Sequence, residues 1–135
     1  VGMYAGYYNT GAGNVYMGYA AGPNVSTGSG SANVGIGQGA LFSNTTANNN
    51  TAVGYQAAYS NTTGSENVAI GYQALYSNSV GTGNVAIGAP QAGFANSALY
   101  STTGSDNIGI GRQGVNQVIC GQSHINFGWH RHRLC

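Results

Sequence analysis

The sequence predicts an all-β fold, a parallel β-solenoid (β-roll) with coils of about 17 residues, and three observations carry that prediction. First, an Asn followed by a triplet with apolar flanks and then a Gly occurs six times. The copies are Asn14-Val15-Tyr16-Met17-Gly18, Asn33-Val34-Gly35-Ile36-Gly37, Asn50-Thr51-Ala52-Val53-Gly54, Asn67-Val68-Ala69-Ile70-Gly71, Asn84-Val85-Ala86-Ile87-Gly88 and Asn107-Ile108-Gly109-Ile110-Gly111. Second, the steps between these Asn residues are 19, 17, 17, 17 and 23, a period too short for helical or propeller repeats. Third, turn-forming stretches separate the copies: Ser43-Asn44-Thr45-Thr46, Ser60-Asn61-Thr62-Thr63-Gly64 and Ser101-Thr102-Thr103-Gly104.

Within each coil the triplet reads as a short strand. Val68 and Ile70 lie two apart, so an extended chain points both to one face and Ala69 to the other. The flanking column is bulky and apolar, apart from Thr51, and is expected to face the core. The middle column is small except at Tyr16, and is expected to lie where another backbone packs closely, as in self-association. A second short strand is expected through Gln56-Ala57-Ala58-Tyr59 and Gln73-Ala74-Leu75-Tyr76. The 23-residue step reads as an insertion at Pro90 to Ser97, after which Ala98-Leu99-Tyr100-Ser101 resumes the pattern. Loops absorb such length cheaply, because closure entropy grows slowly. The expected organisation is a solenoid over residues 1–116 and a non-repeat cap or tail over 117–135.

Composition narrows the function classes. Charged residues are 4 % of the chain and the net charge is +1, so there is no electrostatic footprint for nucleic acid. No apolar run approaches the length needed to span a bilayer, so no membrane insertion is expected. Val1 falls inside a repeat-like stretch without a signal peptide, which reads as a mature product or a fragment. Low charge with abundant Gly, Asn, Ser and Thr is also the composition of flexible segments, but disorder gives no reason for Val and Ile at fixed offsets.

Stacked coils turn each repeated position into a ladder. The ladder residues are Asn14, Asn33, Asn50, Asn67, Asn84 and Asn107, expected to hydrogen-bond along the stack through their amides. Gly18, Gly37, Gly54, Gly71, Gly88 and Gly111 are expected at a bend where φ is positive or no Cβ fits. Tyr55 and Tyr72 follow the ladder Gly, while Phe42, Tyr59 and Tyr76 form a second aromatic column, continued by Tyr100. These columns either seal the coil or a subunit interface, or form an aromatic face for a glycan or surface receptor.

The N-x-V/I-A-I-G repeat resembles the head domains of trimeric autotransporter adhesins. It is still more similar to the N-T-A-V-G-Y-Q-A-L-Y-S-N-T-T-G arrays of phage-type tail-fibre proteins, most faithfully from Thr51 to Gly81. The resemblance implies a left-handed β-roll assembled as a trimer, a stiff extracellular, cell-surface or virion-surface module without catalytic residues or cofactors. It also implies collagen-like, glycan or other surface partners. The 17-residue unit is longer than that of adhesin heads, and no neck or membrane anchor follows.

Other candidate chemistry is sparse. Glu66 and Asp106, the only acids, each precede a ladder Asn and read as exposed turn residues rather than a catalytic pair. His130-Arg131-His132 places two imidazoles on one side of an extended strand, a minor metal-site alternative to a solvated basic tail; no metal is expected. Cys120 and Cys135 close a 16-residue loop if bonded, with free thiols and interchain bonds equally open. Glycosylation sequons start at Asn24, Asn44, Asn49 and Asn61, the last three expected to be accessible. The expected function is a non-enzymatic structural or adhesive fibre module. The alternatives are a self-polymerising extracellular filament and an ice-binding solenoid, the latter suggested by the Thr pairs at 45–46, 62–63 and 102–103.

Overall fold

The computed structural model describes residues 2–89 and 98–111 in full, and the backbone of the strands at 117–118 and 124–127. It is all-β, with no helix among the described residues. Each triplet is a strand: β1 (Val15–Met17), β2 (Val34–Ile36), β3 (Thr51–Val53), β4 (Val68–Ile70) and β5 (Val85–Ile87). After them come β6 (Ser101–Thr102), β7 (Asn107–Ile110), β8 (Gln117–Val118) and β9 (His124–Phe127). One parallel sheet runs β1-β2-β3-β4-β5-β7-β9, and β6 pairs with β8.

Register keeps like over like. Val68 lies opposite Val85, Ala69 opposite Ala86 and Ile70 opposite Ile87, and β3 aligns on β4 in the same way. The 23-residue step is absorbed without a slip, since Val85 pairs with Ile108 and Ile87 with Ile110. The insertion expected at 90–97 lies outside the described residues, but the pattern resumes after it as expected. The N–H of Leu75 donates to Ala98 O at 3.1 Å, and Leu99 is fully buried. β8 and β9 fall within 117–135, the stretch expected as a cap or tail. There β9 extends the main sheet in register, Ile108 opposite Ile125 and Ile110 opposite Phe127.

The inside and outside of the coil are the reverse of the expectation. Ala52, Ala69 and Ala86 are fully buried, while Val15, Met17, Ile70 and Ile110 rank among the exposed large side chains. The core is a narrow column of Ala40, Ala57, Ala74 and Ala98 with Leu41, Ala58, Leu75 and Leu99, facing the strand alanines. The backbone that packs closely on the small column is the far wall of the same coil, so this column cannot serve self-association.

Backbone conformation explains the narrowness. The segments expected as second strands are turns, because Gln56, Ala58, Gln73 and Leu75 all have left-handed φ between 49° and 56°. Alternating hands fold this wall tightly, yet its amides still reach neighbouring coils: Gln56 N–H donates to Gln38 O at 2.8 Å and Ala58 N–H to Ala74 O at 2.9 Å. The corner before it is the ladder glycine, with φ from 112° to 141° at all six positions. A Cβ at Gly18 would also sit 2.8 Å from the carbonyl carbon of Gly37. Positive φ and close approach therefore act together to require glycine there.

The ladder asparagines close the opposite corner. Asn33, Asn50, Asn67, Asn84 and Asn107 are at most 1 % exposed. Their bonding differs from a simple amide-on-amide stack. The backbone N–H of Asn67 donates to Asn50 Oδ1 and that of Asn84 to Asn67 Oδ1, both at 2.9 Å. The Asn67 amide then donates to Gly81 O, in the turn just before Asn84 on the next rung, at 2.9 Å. Amide–amide bonds occur at Asn50–Asn33 (3.2 Å) and Asn107–Asn84 (2.9 Å). A buried polar chain of this kind is tolerable because its groups are paired rung to rung, Asn107 Oδ1 at the end of the described ladder being the exception.

Candidate functional site

A narrow interior of Ala, Leu and Asn leaves the chemistry on the outer ladders. The first is the outward face of the main sheet. Val34, Val53, Val68, Val85 and Ile108 are partly exposed, and Val15, Met17, Ile70 and Ile110 are 37–48 % exposed. Because register is strict, these positions form two parallel lines down the sheet, aliphatic except at Thr51, with no charged residue among the strands β1 to β5 and β7. Contiguous apolar surface of this kind is uncommon on monomers.

The second is the aromatic flank. Phe42, Tyr59, Tyr76 and Tyr100 stack with centroids 4.8, 5.2 and 5.1 Å apart and planes within 6°. Tyr55 and Tyr72 stack at 5.1 Å and 15°. Between the columns, Gln73 Nε2 donates to Gln56 Oε1 at 2.8 Å. Burial raises the Tyr59 and Tyr100 phenols above their ordinary range, with neighbouring tyrosines adding to it. Within each stack the rings cover the faces they turn to one another, while Tyr55 and Tyr72 remain 38 and 46 % exposed.

The third is the turn flank. Thr45 Oγ1 donates to Thr62 O at 2.9 Å and Thr62 Oγ1 to Ser79 O at 2.8 Å, so these hydroxyls serve the stack. The outer Thr46, Thr63 and Thr103 are exposed, but Val80 interrupts their line. Glu66 and Asp106 are exposed at φ 60° in one turn column, in which Gly83 (φ 68°) intervenes.

A second buried asparagine column was not anticipated. Asn44, Asn61 and Asn78 are fully buried, and their amides donate to Ala47, Gly64 and Gly81 carbonyls at 3.2, 2.8 and 2.9 Å. Their 17-residue spacing was the available signal. This corrects the expectation for the sequons, because glycosylation at Asn44 or Asn61 would require opening the core. Asn49 is exposed and Asn24 partly so.

Four tyrosines near the N-terminus were also overlooked, since they lie outside the six motif copies. Tyr4, Tyr7, Tyr8 and Tyr19 meet edge to face, at 5.5 Å for Tyr4–Tyr7, 6.0 Å for Tyr4–Tyr19 and 4.7 Å for Tyr7–Tyr8. Cys120, Cys135, His130 and His132 lie outside the described residues. Among the described residues no group of His, Cys, Asp and Glu is placed to hold a metal ion, and no helix is long and apolar enough to cross a membrane. Comparison with protein-family models, with curated proteins and with solved structures returned no match.

Proposed function

We propose that this chain is a non-enzymatic structural and adhesive fibre module, a left-handed β-roll that assembles as a homotrimer at a cell or virion surface and mediates attachment. The observation that carries the reading is the outward aliphatic face of the main sheet, where Ile70 is 39 % and Val15 48 % exposed. Three copies packing these faces around a common axis give every coil the hydrophobic core that its own alanine interior lacks. At about 25 cal/mol per Å² of apolar area, such a face is a large driving force for association. The resemblance to adhesin heads and tail-fibre arrays supports the threefold form.

Neither alternative draws the same support. An ice-binding face needs free threonine hydroxyls in an unbroken plane, whereas Thr45 and Thr62 donate within the stack and Val80 interrupts the outer line. An end-to-end filament uses the strand edges and leaves the aliphatic face wet. Sedimentation at micromolar concentration is expected to give three times the chain mass, and Ile70→Lys is expected to shift it to one. A wild-type monomer overturns the trimer, and micrographs of indefinite fibres favour the filament.

A further inference from the structure

The outward face of the main sheet repeats itself almost unchanged from rung to rung. Val34, Thr51 and Val68 follow one another in one line, and Ile36, Val53 and Ile70 in the other. Successive rungs lie about 4.8 Å apart, so a copy displaced along the axis by one rung meets valine and isoleucine again. Hydrophobic burial is non-directional and hardly distinguishes the displaced form from the aligned one. Aliphatic contacts alone therefore leave open which rung of one copy faces which rung of the next. Thr51 is the one polar residue at the outward positions of β1 to β5 and β7. It is partly exposed, with Val34 on one side and Val68 on the other. Its hydroxyl enters none of the rung-to-rung bonds that Thr45 and Thr62 make through theirs.

We propose that Thr51 sets the register of the homotrimer, an inference that rests on the threefold assembly proposed above. Three copies in register bring three Thr51 hydroxyls to one level of the common axis. Each donates to the next and accepts from the one before, so the ring closes without an unpaired group. A copy displaced by one rung sets its threonine level with valine on both neighbours. That hydroxyl is then buried without a partner, which disfavours the displaced form about tenfold or more. A single polar residue in an apolar interface costs affinity and fixes alignment. The outward positions of the other rungs are aliphatic, so the polar level occurs once and no slip can match it.

The test reads oligomer mass by sedimentation and register by methyl NMR, both on the full chain. In a symmetric trimer the Ile70 Cδ1 methyl gives one signal, whereas displaced copies give it several. The parent chain and Thr51→Ser are expected to sediment as trimers with one Ile70 signal. Thr51→Val is expected to stay folded and trimeric, with extra Ile70 signals as displaced forms rise about tenfold. Adding Val68→Thr to Thr51→Val moves the hydroxyls by one rung and should restore the single signal. A merely tolerated threonine would not respond to that transfer. One Ile70 signal in the Thr51→Val trimer, several in the parent trimer, or dissociation of Thr51→Val overturns the proposal and leaves the parent trimer in place. A parent chain that sediments as a monomer defeats the trimer and its register together.

Discussion

The coils that start at Asn33, Asn50 and Asn67 and the coil that starts at Asn14 follow the same path around different interiors. In the regular coils small strand residues, Gly35, Ala52 and Ala69, share the buried interior with Leu41, Ala58 and Leu75 of the opposite wall. In the first coil Tyr16 enters the lumen and Gly22 takes the leucine place. A Cβ at Gly22 would lie 2.6 Å from the Tyr16 ring, and one at Gly35, in the next coil, 2.9 Å from it. The turn differs too, because two extra residues lie between Pro23 and Gly30 and no asparagine there is fully buried. The Tyr16 phenol instead reaches the amides of Asn44 and Asn33. A ring supplies what leucine and an amide supply elsewhere, so volume and polarity are conserved while their carriers change.

That account makes Tyr16 and Gly22 a coupled pair, and uncoupling them has the largest expected effect. Tyr16→Ala empties the lumen and is expected to cost about 3 kcal/mol. Gly22→Leu alone drives a side chain into the ring and is expected to cost about as much. Together they recreate the Ala69–Leu75 arrangement, with a backbone that accepts leucine at φ 56° in that column. The double variant should therefore be more stable than either single one, with a coupling energy near 2 kcal/mol by denaturant melts. Additive losses would falsify the exchange of carriers.

The two regions also predict unequal dependence on the asparagine ladder. Asn67 is 1 % exposed and serves both Asn84 N–H and Gly81 O. Asn67→Ala leaves the buried Asn84 N–H without a partner and Gly81 O with the Asn78 amide alone, an expected loss of about 2–3 kcal/mol. Asn14 is only partly buried, although it bonds Asn33 N–H at 2.8 Å and Gly30 O at 2.8 Å, so water can replace it. Asn14→Ala should cost about 1 kcal/mol. Equal melting temperatures for the two variants would remove the distinction between a sealed interior and a wetter first coil.

How much of this could be read beforehand follows from what periodicity can and cannot say. Spacing alone locates Asn67 over Asn50, Gly71 over Gly54 and the interruption after Gly88, because identical rungs need identical residues. It does not say which side of a strand is inside. The alternation Val68-Ala69-Ile70 is the same pattern whichever face is buried, and the usual preference for bulk in a core pointed the wrong way. The deciding fact is backbone geometry: Gln56, Ala58 and Glu66 take left-handed φ without being glycine, and nothing in their side chains announces it. These turns draw the walls so close that alanine fits and valine does not. Asn44, Asn61 and Asn78 carried the 17-residue signal but resembled ordinary turn residues, since burial of a turn is rare. Tyr19 follows a ladder glycine just as Tyr55 and Tyr72 do and so carried a signal, whereas Tyr4, Tyr7 and Tyr8 precede the first motif copy and carried none.

Alkali should sharpen the same comparison with a smaller effect. Burial pushes the Tyr16 phenol up from 10.0 to about 12, against hydrogen bonding to Asn44 and Asn33, which holds it down. The folded state thus keeps a proton that the unfolded chain releases near pH 10. The associated stability is complete below that pH and falls as pH rises toward 12. The raised phenols of Tyr59 and Tyr100 act in the same direction from the outer flank. Across the regular coils the interior holds Ala, Leu and Asn, none of which titrates, so Tyr16 is the only titrating group within the described lumen. Tyr16→Phe keeps the ring and removes the proton. It is expected to lose about 1 kcal/mol at neutral pH through the missing hydroxyl bond. It should then show a shallower fall in melting temperature between pH 10 and pH 12 than the parent chain. Parallel slopes would place the alkaline sensitivity in the outer columns and leave the first coil no different from the rest in its response to pH.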